Sequence, residues 1–109
     1  MRILKFVVDG QNIIKDPSCD FDNLVPGTKG YLQAEFSFSS EWNGCVKFVE
    51  FMGANSKDVH AVLLVNGKAN IPDHIAERSV FGLRVVGENK AGFRLTTDKI
   101  IIRQKGGVG

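Results

Sequence analysis

Hydrophobic and polar residues alternate with a period of two along much of this chain. Between residues 31 and 39, the sequence Y-L-Q-A-E-F-S-F-S places Leu32, Ala34, Phe36 and Phe38 on one face, and the residues between them are mostly polar. Successive side chains of a β-strand point to opposite faces of its sheet. This stretch is therefore predicted to be a strand with one buried face and one solvated face.

Further strands are predicted wherever short apolar runs lie between turn signals. In V-F-G-L-R-V, Phe81, Leu83 and Val85 share one face. Residues 2–8, 59–65 and 92–103 are rich in β-branched and other apolar residues. Runs of this length and composition, bounded by glycine, asparagine and aspartate, are typical of strands.

The turn signals predict three hairpins. Asp9-Gly10 joins the first strand to Q-N-I-I, Asn66-Gly67 joins V-L-L-V to K-A-N-I, and E-N-K-A-G at residues 88–92 joins 79–87 to 93–104. Asparagine, aspartate and glycine tolerate the positive φ angles that tight hairpin turns require. The one helical candidate is P-D-H-I-A-E-R at residues 72–78, where proline occupies the first position.

Together these elements predict an all-β protein, an Ig-like antiparallel β-sandwich of about seven strands with at most one short helical turn near residues 72–78. A small closed barrel is the alternative. We expect one domain over residues 1–104, followed by a Gly-rich tail at 105–109.

The single tryptophan, Trp42, follows the Phe36–Phe38 strand and precedes the turn signal Asn43-Gly44. We expect its ring to cover one end of the sandwich. Phe48 and Phe51 cannot both point inward on a regular strand, so we expect a bulge near Val49 or Glu50. The predicted core anchors are Trp42, Phe36, Phe38, Phe51, Phe81 and Leu83.

Charge is unevenly distributed although the net charge is only +2. Residues 1–77 carry 7 Lys/Arg against 10 Asp/Glu, and residues 78–109 carry 7 against 2. The C-terminal strands are therefore basic, and we expect Arg94, Arg103 and Lys105 to form a candidate interface. Because no aromatic stacking platforms are interleaved with these charges, a protein partner is favoured over nucleic acid.

Candidate chemistry is sparse. The two cysteines and two histidines, Cys19, Cys45, His60 and His74, invite a zinc site, but no C-x-x-C or H-x-x-x-H pair seeds one. We expect buried free thiols and surface imidazoles, with no cofactor, metal or catalytic residue. The N-terminal segment is too short and too charged for a signal peptide, and no apolar stretch approaches the length of a membrane span.

The order of these patterns resembles a small Ig-like domain carried by tail, baseplate and fibre-type proteins of phages and prophages of Gram-positive hosts. In that family the domain commonly begins a longer protein and is followed by coiled-coil or receptor-binding parts. The matching segments are K-F-V-V-D-G-Q, A-E-F-S-F-S-S-E-W-N-G-C-V-K, F-V-E-F, N-I-P-D-H-I, V-F-G-L-R-V-V-G and L-T-T-D-K-I-I-I.

The resemblance implies a non-enzymatic virion protein, a tail, baseplate or fibre adaptor or a decoration module, assembled in the host cytoplasm. Its expected partners are other virion proteins and further copies of itself, and not nucleic acid or a membrane. Two alternatives stay open. One is a carbohydrate-binding module that uses Tyr31 or Trp42 as a sugar platform, and the other is a phage-encoded inhibitor of a host protein.

Overall fold

The computed structural model describes residues 1–53 and 58–105. In these residues the chain forms nine strands, one short α-helix and one 3-10 turn at Ser40–Trp42. The strands are β1 (Arg2–Asp9), β2 (Asn12–Lys15), β3 (Leu32–Phe38), β4 (Val46–Gly53), β5 (Val59–Leu63), β6 (Lys68–Asn70), β7 (Val80–Glu88), β8 (Arg94–Thr96) and β9 (Ile100–Arg103), and the helix is α1 (Asp73–Ala76).

The strands form two sheets, which confirms the predicted all-β sandwich. The smaller sheet has the order β2-β1-β3-β6, and the larger has the order β5-β4-β7, with β8 and β9 both pairing with the far side of β7. One pairing was not expected, because β1 and β3 run parallel. A parallel pair needs a long connection, and the loop at residues 16–31 provides it.

The predicted turns form, but two of the hairpins differ from expectation. Asp9-Gly10 joins β1 to β2 as predicted. Asn66 and Gly67 adopt positive φ angles of 54° and 74°, and Val65 and Lys68 on either side exchange both backbone hydrogen bonds as predicted for a hairpin. Beyond this one pair, however, the turn carries the chain from β5 in the larger sheet to β6 in the smaller one. The last hairpin joins β7 to two short strands, because the chain leaves the sheet at residues 97–99 between β8 and β9.

The core lies between the two sheets and includes most of the predicted anchors. Trp42, Phe51, Phe81 and Leu83 are fully buried, and Phe36 is 6% exposed. Phe38 is only half-buried and packs against this core from its edge. Aromatic packing continues across the smaller sheet, where the rings of Phe6 and Phe36 stack with their centroids 5.2 Å apart.

The expected bulge in β4 is absent. β4 pairs with β7 without interruption from Val46 opposite Glu88 to Gly53 opposite Phe81. Strict alternation therefore sends Val49 and Phe51 into the core and Phe48 to the opposite face. The conflict between Phe48 and Phe51 is resolved by leaving one phenylalanine outside the core.

The helical prediction is confirmed as a single turn. α1 follows Pro72, and its Ile75 and Ala76 are buried. Lys105 is the last described residue, and its N–H donates to the Leu24 carbonyl at 2.6 Å. The rest of the predicted tail, residues 106–109, lies outside the described residues. Among the described residues, no helix is long and apolar enough to cross a membrane.

Candidate functional site

The most unusual surface is the outer face of the larger sheet, the face directed away from the core. Val86 and Met52 are 0% and 7% exposed, yet neither belongs to the core cluster between the sheets. Alternation places them on the outer face, because their neighbours Val85 and Phe51 point into the core. This face is therefore partly apolar.

The strand registers place two apolar rows on this face. One apolar row crosses the sheet through Leu63, Phe48 and Val86, which lie opposite one another on β5, β4 and β7. A second apolar row runs through Val59 and Met52 to Gly82 and Ile101.

Between the apolar rows lies a charged pair. Arg84 Nε donates to Glu50 Oε1 at 2.5 Å, and these residues are opposite each other on β7 and β4. The two opposite charges neutralise each other at the centre of the face. The face thus offers apolar contact area without a net charge at its middle.

The exposed apolar side chains concentrate on β5 and at one corner of β4. Val59, Leu63 and Val46 are 50%, 57% and 61% exposed. The apolar run at residues 59–65 predicted a strand but not the outward orientation of Val59 and Leu63, because both faces of this segment are apolar. Glu50, the polar residue between Phe48 and Met52, was the signal that could have identified the outer face.

Arg94, Arg103 and Lys105, which were predicted to form an interface, do not lie in one patch. Arg94 lies on β8 opposite Glu88, at the end of β7, whereas Arg103 lies on β9 opposite Val80, at its beginning. Lys105 follows β9, so it shares the end of the sandwich with Arg103. Arg94 is paired with Glu88 through an ion pair of 2.5 Å. The basic residues of the C-terminal strands are thus distributed along one side of the larger sheet.

The two aromatic residues considered as sugar platforms differ in exposure. Trp42 is fully buried, its ring lies 5.2 Å from that of Phe38, and its Nε1–H donates to the Gly10 carbonyl at 2.9 Å. It therefore cannot stack on a sugar. Tyr31 is 45% exposed, so it is the one of the two that solvent reaches.

The structure brings the histidines together but not the cysteines with them. The rings of His60 and His74, both exposed, lie 5.0 Å apart between β5 and α1. Cys19 lies in the loop between β2 and β3, where its Sγ accepts from the Lys5 N–H of β1 at 3.4 Å, and Cys45 lies near Trp42 and Gly87. Both cysteines are free and half-buried rather than buried. Among the described residues no three potential metal ligands cluster.

The chain was compared with models of protein families, with curated proteins and with solved structures, and none of the three comparisons finds a match.

Proposed function

We propose that this chain is a non-enzymatic structural protein of a phage virion, an adaptor or decoration module of the tail, baseplate or fibre that works by protein–protein assembly. The observation that carries the proposal is the partly apolar outer face of the larger sheet, which ends in the edge strand β5. Val46, Val59 and Leu63 are the exposed apolar side chains of this face, and exposed apolar side chains gathered on one face are typical of an interaction site.

The chemistry of this face suits a protein partner. Val46, Val59 and Leu63 are each at least half exposed, and burying one of these side chains against a partner is worth about 1–2 kcal/mol. The ion pairs Glu50–Arg84 and Glu88–Arg94 satisfy their own charges, so covering them leaves no unpaired charge. A partner therefore gains apolar contact at the cost of desolvating two ion pairs, but without leaving a charge unpaired.

The resemblance to Ig-like domains of phage tail, baseplate and fibre proteins supports the same role. The basic strands add a second surface, because Arg94, Arg103 and Lys105 are all exposed. Positive charge distributed along one side of the sheet favours a partner with an acidic surface. The acidic excess of residues 1–77 makes a neighbouring copy one such partner.

A charge-reversal variant tests the assembly role. Arg94, Arg103 and Lys105 are changed together to Glu, and the variant is supplied during particle assembly in place of the wild-type chain. We expect a folded protein that is lost from purified particles. The matched control is Lys5, Lys15 and Lys29 changed to Glu, which makes the same change in charge on the side of the smaller sheet and should leave incorporation near the wild-type level.

Incorporation of the first variant at the wild-type level would contradict the role assigned to the basic strands. Circular dichroism and thermal unfolding of both purified variants separate a loss of assembly from a loss of folding.

A further inference from the structure

β5 is an edge strand that lacks the features that usually keep edges unpaired. Natural edges are commonly blocked by lysine, proline, a bulge or very short length. The opposite sheet follows this rule, since its edge strands β2 and β6 span four and three residues and each contains a lysine. β5 has five residues, V-H-A-V-L, and contains no lysine, proline or acidic residue.

The backbone groups on the open side of β5 can be assigned from one hydrogen bond. The Leu64 N–H donates to the Lys47 carbonyl on β4 at 2.9 Å. In an antiparallel ladder alternate residues bond to the same neighbour, so His60 and Val62 face β4. The N–H and C=O groups of Val59, Ala61 and Leu63 therefore face away from the sheet, where no strand of the described residues pairs with them.

These three residues are symmetric about Ala61. If a second β5 lies antiparallel with Ala61 opposite Ala61 of the other copy, Val59 of each copy lies opposite Leu63 of the other. All three pairs are then of the hydrogen-bonded kind, in which two residues exchange both bonds. If the two-fold axis passed through His60 or Val62 instead, one of Val59, Ala61 and Leu63 would no longer lie opposite another of these three residues in the second copy.

We propose that two copies of this chain join through β5, by antiparallel pairing about a two-fold axis at Ala61, into one continuous sheet. The side chains support this register. Val59 and Leu63 project on the outer face, so each meets the other across the axis at cross-strand contact distance. The two apolar rows of each copy then continue into those of its partner.

A second copy fits this edge better than an unrelated strand because the pairing is self-complementary in backbone and side chains. A two-fold interface requires a surface that matches itself, and the spacing of Val59, Ala61 and Leu63 meets that requirement. The inference rests on the proposed assembly role, since it names a surface through which copies of the virion protein join.

Disulfide trapping tests the register directly. In a chain with Cys19→Ser and Cys45→Ser, we introduce Ala61→Cys and oxidise the full-length protein under mild conditions. Opposite residues of a hydrogen-bonded pair have Cα atoms about 5.5 Å apart, within the range that a disulfide spans. We expect a covalent dimer on non-reducing gels. The matched control is Ile14→Cys, an exposed position on the edge strand β2, which should remain monomeric.

A proline variant tests the edge without a covalent bond. Ala61→Pro removes an N–H that faces the open side of β5 and no N–H that bonds to β4, so the sheet should remain folded. Sedimentation should show loss of the wild-type dimer in this variant. Ala61→Ser keeps the N–H and should keep the dimer, and circular dichroism should show both variants folded.

Each contrary result overturns the pairing. The pairing is wrong if the wild-type chain sediments as a monomer at every concentration. It is also wrong if the dimer survives Ala61→Pro, or if Ile14→Cys crosslinks as readily as Ala61→Cys. Crosslinking of Ala61→Cys only to a different protein in particles would also reject it, while leaving the virion role in place. A β5 dimer that is absent from particles would support the pairing and reject the virion role.

Discussion

The packing of the Trp42 ring depends on the glycine at position 87. The indole of Trp42 is fully buried, and an added Cβ at Gly87 would lie 2.9 Å from its Cε3 and Cζ3 atoms. The ring is held by its bond to the Gly10 carbonyl and by Phe38, so it has no free direction in which to move. Glycine at position 87 is therefore required by close approach and not by backbone conformation.

Replacing Gly87 by alanine should lower the free energy of unfolding by about 1–3 kcal/mol, because the methyl group overpacks the Trp42 site. The matched control is Gly82→Ala on the same strand. Its Cβ would lie 3.0 Å from Cδ of Lys99, an exposed and flexible side chain that can shift, so the change should be near neutral. Denaturant unfolding with unchanged m-values measures both effects, and equal losses in the two variants would contradict this account of Trp42.

Asp16 shows how a short polar turn depends on ionisation. The Asp16 Oδ1 atom accepts from the Ser18 N–H at 2.9 Å and from the Ser18 hydroxyl at 2.8 Å. The backbone bond is the larger cause, and together these bonds hold the pKa of Asp16 below its ordinary 3.8. A carboxyl whose pKa is lowered by folding stabilises the fold above its unfolded pKa and loses that contribution as pH falls through its folded pKa.

We therefore expect the Asp16 carboxyl to titrate below 3.8 in an NMR pH titration. In Ser18→Ala its pKa should rise only part of the way, because the stronger backbone bond remains. A titration of the wild-type carboxyl at or above 3.8, or no rise in Ser18→Ala, would contradict the assigned hydrogen bonds.

At the scale of elements, Thr97 explains how one predicted strand becomes two. The Val85 N–H, fully buried, donates to the Thr97 Oγ1 at 3.0 Å, and the Thr97 N–H donates to the Val85 carbonyl at 3.0 Å. The next N–H, that of Asp98, donates to the Gln11 carbonyl of the β1–β2 turn at 3.1 Å. The threonine side chain thus replaces a backbone acceptor where the strand leaves β7.

Thr97→Val keeps the shape of the side chain but leaves the Val85 N–H without its acceptor. This should lower the free energy of unfolding by about 1–3 kcal/mol and speed hydrogen exchange of the Val85 amide. Thr97→Ser retains the hydroxyl and should preserve the slow exchange. If Thr97→Val and Thr97→Ser give the same exchange rate for the Val85 amide, the Thr97 hydroxyl is not the acceptor of that N–H.

Local patterns predicted the turns and most strands, but not how distant strands pair. Asp9-Gly10 and Asn66-Gly67 were identified because positive φ angles restrict residue type. The parallel pairing of β1 with β3, and the placement of β5 and β6 in different sheets, depend on contacts between residues far apart in sequence. Phe48 was misread as a source of a bulge, because an apolar residue on an outer face gives the same alternation signal as one in a core.

At the scale of the whole molecule, composition predicted one domain with a basic C-terminal part but not the shape of its charged surface. Because β8 and β9 pair with opposite ends of the long strand β7, Arg94 and Arg103 are separated although they are close in sequence. The outer face was equally hidden, since it is formed by rows that cross three or four strands. The order of the strands in the larger sheet determines both where the basic residues lie and which residues form the apolar outer face.

Quantitative mass spectrometry of purified phage particles is the measurement that tests the proposed role as a virion structural protein. We expect the chain to be present at a fixed ratio to the major tail and capsid proteins, and a low multiple of three or six would indicate a position in the tail. Absence of the chain from intact, purified particles would contradict the central claim.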